Sequence, residues 1–528
     1  MNKEQETLFD ARGVSRLQYR FDHATSYMCL SLKVEDMPRK SGKKEIVFRG
    51  SNAMLLELGI QFPDPLITEW NLGLFLAMTA PKRWCHSVNA MVTTLESATM
   101  KQIHAEMALL HEVNQPYYWH ADCAGAAYNL LLCNSFDCTK DEFNRVSGVT
   151  RERMQKILCD GYTVVPDKSD SLIANLLGDT RLREAIGVFN DKNHFARFLD
   201  EHYIQIPFTN GVIIPEIPEY YINLLLACND SDIFHTFFEM VKNKSFPCRG
   251  MINEHCEYFI KVSASAGGNS IEPSLTQLKP KEENIKIFRG ILANLKRRNT
   301  AFSPFVGLQL LMPVPTKPVM WKNPIDPRNT EIFSPCLTLR IDADGRTRIG
   351  QVADQMLKDG NTWVGSYWDI DLEKSFIERV GVQNIATLAL EIASDGYYGY
   401  FGTDFILSSD GEYFLVKDPN GRMNGNDHMF FTKLPLLMRN SYSVQTAFLS
   451  VFKIGESTSE DLRALYSLKL KEYRYKAATA TGIVMFPAFR RKNFPEPVSE
   501  RFVKIVYLNP KLDSERFIKF YEELVCAS

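Results

Sequence analysis

Asp404, Asp418, Asn420, Arg422 and His428 stand close together in GYFGTDFILSSDGEYFLVKDPNGRMNGNDH, residues 399 to 428. An apolar alternation here runs straight into charged and amide side chains at the point where a strand should leave its sheet. The spacing predicts a hairpin with Ser409, Asp410 and Gly411 as its loop, Gly411 supplying the left-handed backbone. Ser408 then pairs with Glu412 and Asp404 with Val416. Side chains alternate along a strand, so Asp404, Val416, Asp418 and Asn420 share one face and the two carboxylates are diagonal neighbours. A two-residue loop would instead set Lys417 beside Asp404. Two carboxylates and an amide carbonyl are hard oxygen donors, suited to Mg²⁺ that takes its other ligands from water and phosphate. Arg422 adds a planar fork for a phosphate oxygen. The plainer reading of the same residues is an Asp404–Lys417 ion pair followed by a DPNG turn.

A second group lies upstream. The strand EHCEYFIKV delivers Lys261 beside SASAGGNS, residues 263 to 270, and Lys192 heads a helix in DKNHFARFLDE. Small residues let backbone N–H groups approach phosphate oxygens, and a lysine at the strand end neutralises their charge. Taken singly, each lysine reads as a solvated side chain and Gly267-Gly268 as a surface turn. His120 and Cys123 in WHADC lack a second His/Cys cluster and read as ordinary packing.

The order of these pieces resembles the ATP-grasp superfamily: DK-helix-IPF, strand-Lys-glycine loop, crossing segment, an Asp strand, then a D-x-N-x-R strand. More narrowly, SPCLTLRIDADGRTRIGQVADQML, GYYGYFGTDF and DPNGRMNGNDHMFF resemble the pheganomycin-type peptide ligases and their pre-ATP-grasp relatives. The similarity covers roughly residues 186 to 435. It implies that Lys192 and Lys261 contact ATP phosphates and that the loop with Ser263, Ser265, Ala266, Gly267 and Gly268 folds over the triphosphate. It implies that Asp404, Asp418 and Asn420 hold two Mg²⁺ or Mn²⁺ ions. Arg422 would face the transferring phosphoryl group, and His428 is a candidate base toward an amine, with a structural helix histidine as its alternative. Adenine would sit by the crossing strand, at Leu310, Leu311 and Met312, recognised through backbone groups. The sequence departs from the pattern at Asp418, where the family has glutamate, and at Pro419; the usual acid near the adenine is matched only by the distant Glu331.

The elements that must position these residues follow from periodicity. The fold class is α/β (α+β), an ATP-grasp fold preceded by a pre-ATP-grasp α/β domain. Expected domains are 1–185; 186–315 with the glycine loop; 316–450 with the metal-binding residues; and a C-terminal extension, 451–528. Residues 44–60 read as strand then helix, 96–133 as helical, and 222–242 and 376–396 as single helices. The last ninety residues read as helix, strand, strand and helix.

At 528 residues, 45% hydrophobic and 23% charged with a net charge of −2, the chain is globular and offers no basic face for nucleic acid or anionic lipid. Its eleven cysteines show no C-x-x-C pair and read as reduced thiols. No stretch approaches the roughly 18 apolar residues of a membrane span, and the N-terminus lacks a signal-peptide core, so the expected location is the cytoplasm. The resemblance implies an ATP-dependent ligase joining a small-molecule carboxylate to an amine, an amino acid or peptide, through an acyl phosphate. Analogy with such ligases adds a homodimer. The rivals are a nucleotide-binding regulator without turnover and a phosphotransferase.

Overall fold

The computed structural model describes residues 5–9, 15–22, 27–34, 44–48, 90–95, 112–121, 129–134, 162–166, 180–202, 204–209, 211–252, 258–263, 270–271, 282–299, 307–311, 319–322, 330–341, 347–358, 362–421, 424–438, 444–455, 470–489 and 501–525. Strands β1 (Gln5–Phe9), β2 (Ser15–Asp22) and β3 (Tyr27–Val34) form an antiparallel meander. Then come β4 (Lys44–Phe48), β5 (Ala90–Leu95), helix α1 (112–120), β6 (Asn129–Asn134) and β7 (Tyr162–Pro166); β4 pairs β7 and β5 pairs β6, both in parallel. Asn129–Cys133, expected to be helical, is therefore strand. Its run of apolar residues fits either state, and pairing with β5 decides.

Helices α2 (Thr180–Val188) and α3 (Lys192–Glu201) lead into a four-stranded antiparallel sheet. It is built from β8 (Gly211–Ile214), β9 (Phe259–Val262), β10 (Ser270–Ile271) and β11 (Leu308–Leu311) in the order β10-β9-β11-β8. Helices α4 (Glu219–Ala227), α5 (Ile233–Lys242) and α6 (Glu282–Asn299) share its core, Phe234, Phe237 and Phe288 meeting Val212, Ile260 and Leu310. The single helix expected over 222–242 is two, because the chain breaks at Cys228–Asp232.

After a short hairpin, β12 (Met320–Lys322) and β13 (Thr330–Ile332), the chain builds the large sheet. Its strands are β14 (Pro335–Ile341), β15 (Thr347–Lys358), β16 (Thr362–Asp369), β17 (Gly399–Leu407), β18 (Tyr413–Asn420), β19 (Thr446–Gly455), β20 (Gly482–Phe489) and β21 (Arg501–Leu508). The antiparallel order is β18-β17-β14-β15-β16-β19-β21-β20, and β3 joins at the start of β15, Leu30 opposite Thr347. The helices are α7 (Ile370–Val380), α8 (Val382–Ser394), α9 (Asp427–Met438) and α10 (Ser514–Phe520). The expected helix 376–396 is broken by Gly381, whose φ of +85° no other residue adopts cheaply. The C-terminal reading missed β19. Among the described residues, no helix is long and apolar enough to cross a membrane.

The two faces of β14 and β17 differ. Leu337, Leu339, Ile341, Phe401 and Phe405 form a core with α2, α3, α7 and α8. Cys336, Thr338, Gly402 and Asp404 alternate with them and lie on the opposite face. This polar face carries the chemistry.

One charge is buried in the neighbouring core. Lys433 on α9 is 1% exposed, its Nζ 3.3 Å from the centre of the Trp368 ring. Burial, opposed by the Glu373 carboxylate, pulls it down to about 7. Glu373 is itself pushed up by burial while accepting from Trp368 Nε1 at 2.7 Å and Val352 N at 2.8 Å. An unfolded lysine keeps its proton to about pH 10.4. Between about 7 and that value the unfolded chain binds more protons, so this lysine makes stability rise with pH. Glu373 acts in the opposite sense, and only from the carboxylate range upward to its raised value. The wild-type Tm should therefore climb between pH 7 and 9 relative to Lys433→Met; parallel profiles would show Lys433 charged throughout.

Candidate active site

Helix α3 begins where its first residue is needed. The Asp191 carboxylate caps it, accepting from Asn193 N and His194 N at 2.9 Å. Lys192 N donates to Ser263 O at 2.8 Å, Asn193 Nδ2 to Ile214 O and Leu308 O at 3.3 Å, and Gln309 Nε2 to Lys192 O at 3.3 Å. The helix start is thereby fastened to β8, β9 and β11. Lys261 lies on β9, opposite Ser270 and Gln309. Ser263 is fully buried, donating to Gly307 O at 2.9 Å and accepting Gly307 N on its hydroxyl at 3.1 Å.

The hairpin closes with the three-residue loop: Ser408 N donates to Glu412 O, Gly411 N to Ser408 O, both at 2.9 Å, and Gly411 has φ +91°. The register then slips. Phe405 pairs Leu415 but Thr403 pairs Pro419, so Asp404 alone faces Val416 to Asp418. Instead of lying diagonally across from Asp404, Asp418 is drawn alongside it by this bulge. Burial and then the Asp418 charge push Asp404 up to about 6, while the Cys336 thiol, donating to it, and Lys261 pull the other way. Burial alone would raise Asp418; Lys192 and Lys261 overcome that and hold it well below the usual carboxylate range. Their Nζ atoms lie 3.4 Å from Asp418 Oδ1 and 3.1 Å from Oδ2. The expected Asp404–Val416 pairing is replaced, and the carboxylate the lysines meet is Asp418.

Asn420 is half-buried opposite Gly402. Asn424 lies over Gly402, where a Cβ would come within 2.3 Å of its Nδ2, and that amide donates to Cys336 Sγ at 3.6 Å. Asn426 N donates to Asn424 Oδ1 at 2.8 Å, Gln351 Nε2 to Asn426 O at 2.7 Å, and Ser366 Oγ to Asn426 Oδ1. Gly402→Ala would push Asn424 off Cys336. We expect a loss of about 1–3 kcal/mol in urea unfolding; an unchanged midpoint would mean that the loop yields freely.

His428 is 3% exposed, its ring Nδ1 3.1 Å from Gly425 O. That contact at the start of α9 suits the structural alternative. Leu310 is wholly in the core, and β11 is paired on both edges, so the backbone of Leu310 and Leu311 is taken up by the ladder. Ser265, Ala266, Gly267, Gly268, Met312 and Arg422 lie outside the described residues, as does Cys123. His120 Nδ1 is 2.6 Å from Tyr475 Oη, in ordinary packing. Sequence reasoning missed Cys336 and Asn426. Cys336 shows only as the cysteine in SPC where the related motif has serine.

No protein-family model and no curated protein matches the sequence. Several solved structures follow a similar course of chain. One is L-amino acid ligase from Bacillus licheniformis, 10% identical over 91% of this chain and 98% of that one, TM-score 0.47. Another is carboxyaminoimidazole ribonucleotide synthase from Aspergillus clavatus complexed with ATP, 10% identical over 91% and 98%, TM-score 0.45. A third is the biotin carboxylase domain of Hydrogenobacter thermophilus 2-oxoglutarate carboxylase with MgADP, 10% identical over 88% and 86%, TM-score 0.44. Likeness at this level concerns the course of the chain; the chemistry rests on the residues above.

Proposed function

We propose that this chain is an ATP-grasp carboxylate–amine ligase that forms an amide through an acyl phosphate, with ADP and phosphate as products. The observation that carries it is the meeting of Lys192 and Lys261, from a helix and a different sheet, at Asp418, with Asp404 alongside on the polar face.

Among the described residues no three His, Cys, Asp or Glu side chains form a group that could by itself hold a metal ion. The donors present are two carboxylates and the Asn420 amide, an incomplete oxygen set that fits a cation sharing its remaining positions with phosphate and water. The push of Asp418 on Asp404 is the repulsion such a cation relieves. Held by Asp404, Asp418 and Asn420, Mg²⁺ or Mn²⁺ would neutralise triphosphate charge. Lys192 and Lys261 bind phosphate oxygens by exchanging Asp418 for them. A substrate carboxylate oxygen attacks the γ-phosphorus as the bond to ADP breaks; the amine nitrogen then attacks the acyl carbon, phosphate leaves with the C–O electron pair, and the amine proton passes to solvent. Positioning and charge suffice, without a protein nucleophile.

The double pairing of Asp418 also gives the regulator reading specific support, since a carboxylate held by two lysines has less capacity for a metal. One assay separates them: ATP, Mg²⁺ and pooled small carboxylates and amines, with products read by mass spectrometry. ADP that requires both an acid and an amine supports the ligase; AMP and pyrophosphate would overturn the acyl phosphate; ATP binding without turnover would favour the regulator. The proposal includes a cytoplasmic location and a homodimer, the latter checked by sedimentation.

A further inference from the structure

Trp363 reaches the polar face only because β16 is irregular. Gly365 pairs Met356 while Trp363 pairs Leu357, leaving Val364 as an extra residue. Alternation from Ser366 would send Trp363 to the opposite face; the bulge returns it to the Ser366 side. Ser366 faces Gln355, two residues from Ala353, and Ala353, Cys336 and Asp404 are aligned across β15, β14 and β17. The indole therefore lies on the same sheet face as the two carboxylates.

Its position is fixed on two sides. Nε1 donates to Ser366 Oγ at 3.0 Å, and a Cβ on Gly425 would stand 2.7 Å from a ring carbon, so only glycine lets the loop lie on the ring. Trp363 is only partly buried, its one polar hydrogen already used. Lys504 on β21 extends over the ring, Nζ 5.7 Å from its centre. The hydrogen bonds from Ser366 through Asn426 and Asn424 to Cys336 link this shelf to Asp404.

Resting on the ligase reading, we propose that Trp363 and Lys504 form the acceptor subsite, which takes an amine bearing its own carboxylate: a free amino acid or short peptide. The ammonium of Lys504 holds the carboxylate as a point charge. The π-face of Trp363, offering no hydrogen bond, takes the apolar side chain. The amine is left toward Asp404.

Saturation-transfer NMR on the full chain tests this without turnover, using a pool of free amino acids and dipeptides against their C-terminal amides, with ADP and Mg²⁺ present. Wild type and Lys504→Arg should bind the acids about tenfold or more tightly than the amides, the scale of one charge-assisted contact. Lys504→Met should lose that preference, and Trp363→Leu should lose affinity for large apolar side chains. Circular dichroism and melting confirm that each variant is folded, and Lys504→Arg shows that charge rather than fold is responsible. Acids and amides binding the wild type equally, no binding to it, or Lys504→Met behaving like wild type would overturn the subsite. Acid binding at the subsite with no ADP formed from any pair would instead sink the ligase reading and leave the subsite standing.

Discussion

The Asp404→Asn protein is expected to keep ATP binding, lose turnover by about a hundredfold or more, and melt no earlier than the wild type. The first two effects follow from removing a preorganised charge that would grip the metal while Lys192 and Lys261 remain, a change that typically costs 10²–10³ in rate. The third follows from what Asp404 endures: burial and the neighbouring Asp418 charge push its carboxyl up to about 6. A neutral amide of the same size removes that repulsion and still accepts from Cys336. Function and stability should thus move apart, which a merely structural role would not produce. Steady-state ADP release and a thermal melt at pH 7 decide it. Turnover within a few-fold of wild type, or a clear drop in Tm, would remove Asp404 from the metal site.

Asp418→Asn should do the reverse to stability. Lys192 is 5% exposed, and the substitution leaves it and Lys261 facing an uncharged amide. Breaking a wholly buried pair costs roughly 3–5 kcal/mol. Because the Asp418 side chain is 27% exposed, solvent screening brings the expected loss to about 2 kcal/mol. Pyrophosphate without metal should restore more of the melting temperature in this variant than it adds to wild type, since an anion that binds the folded site stabilises by mass action. Equal effects on both proteins would mean that the lysines do not form a phosphate site.

The hairpin was the most legible part of the site, because Gly411 and the parity of a three-residue loop are local. The slip that brings Asp418 level with Asp404 was not legible: it depends on which residue is left out of the ladder, and Pro419 is the only local hint. Cys336 reaches Asp404 through pairing between strands more than sixty residues apart in the chain, which no window of sequence contains. The helix over 376–396 read as continuous because its apolar period carries across Gly381, whose positive φ is a tertiary fact. β2 was overlooked although Leu17, Tyr19 and Phe21 alternate plainly in SRLQYRFD. The lysines became a pair only through their order along the chain, since nothing local tells a buried Lys192 from a solvated one.

Helix α3 joins two bodies at once. Phe195, Phe198 and Leu199 are set in the core beneath the large sheet, while Lys192, Asn193 and Gln309 fasten its first turn to the small one. Mechanically it behaves as a bolt through two plates: to turn one sheet against the other, the molecule must shear those hydrogen bonds together or tear phenylalanines from their seats. The span from Lys192 to the carboxylates is therefore set like a locked calliper, a gauge fixed by backbone before any substrate arrives.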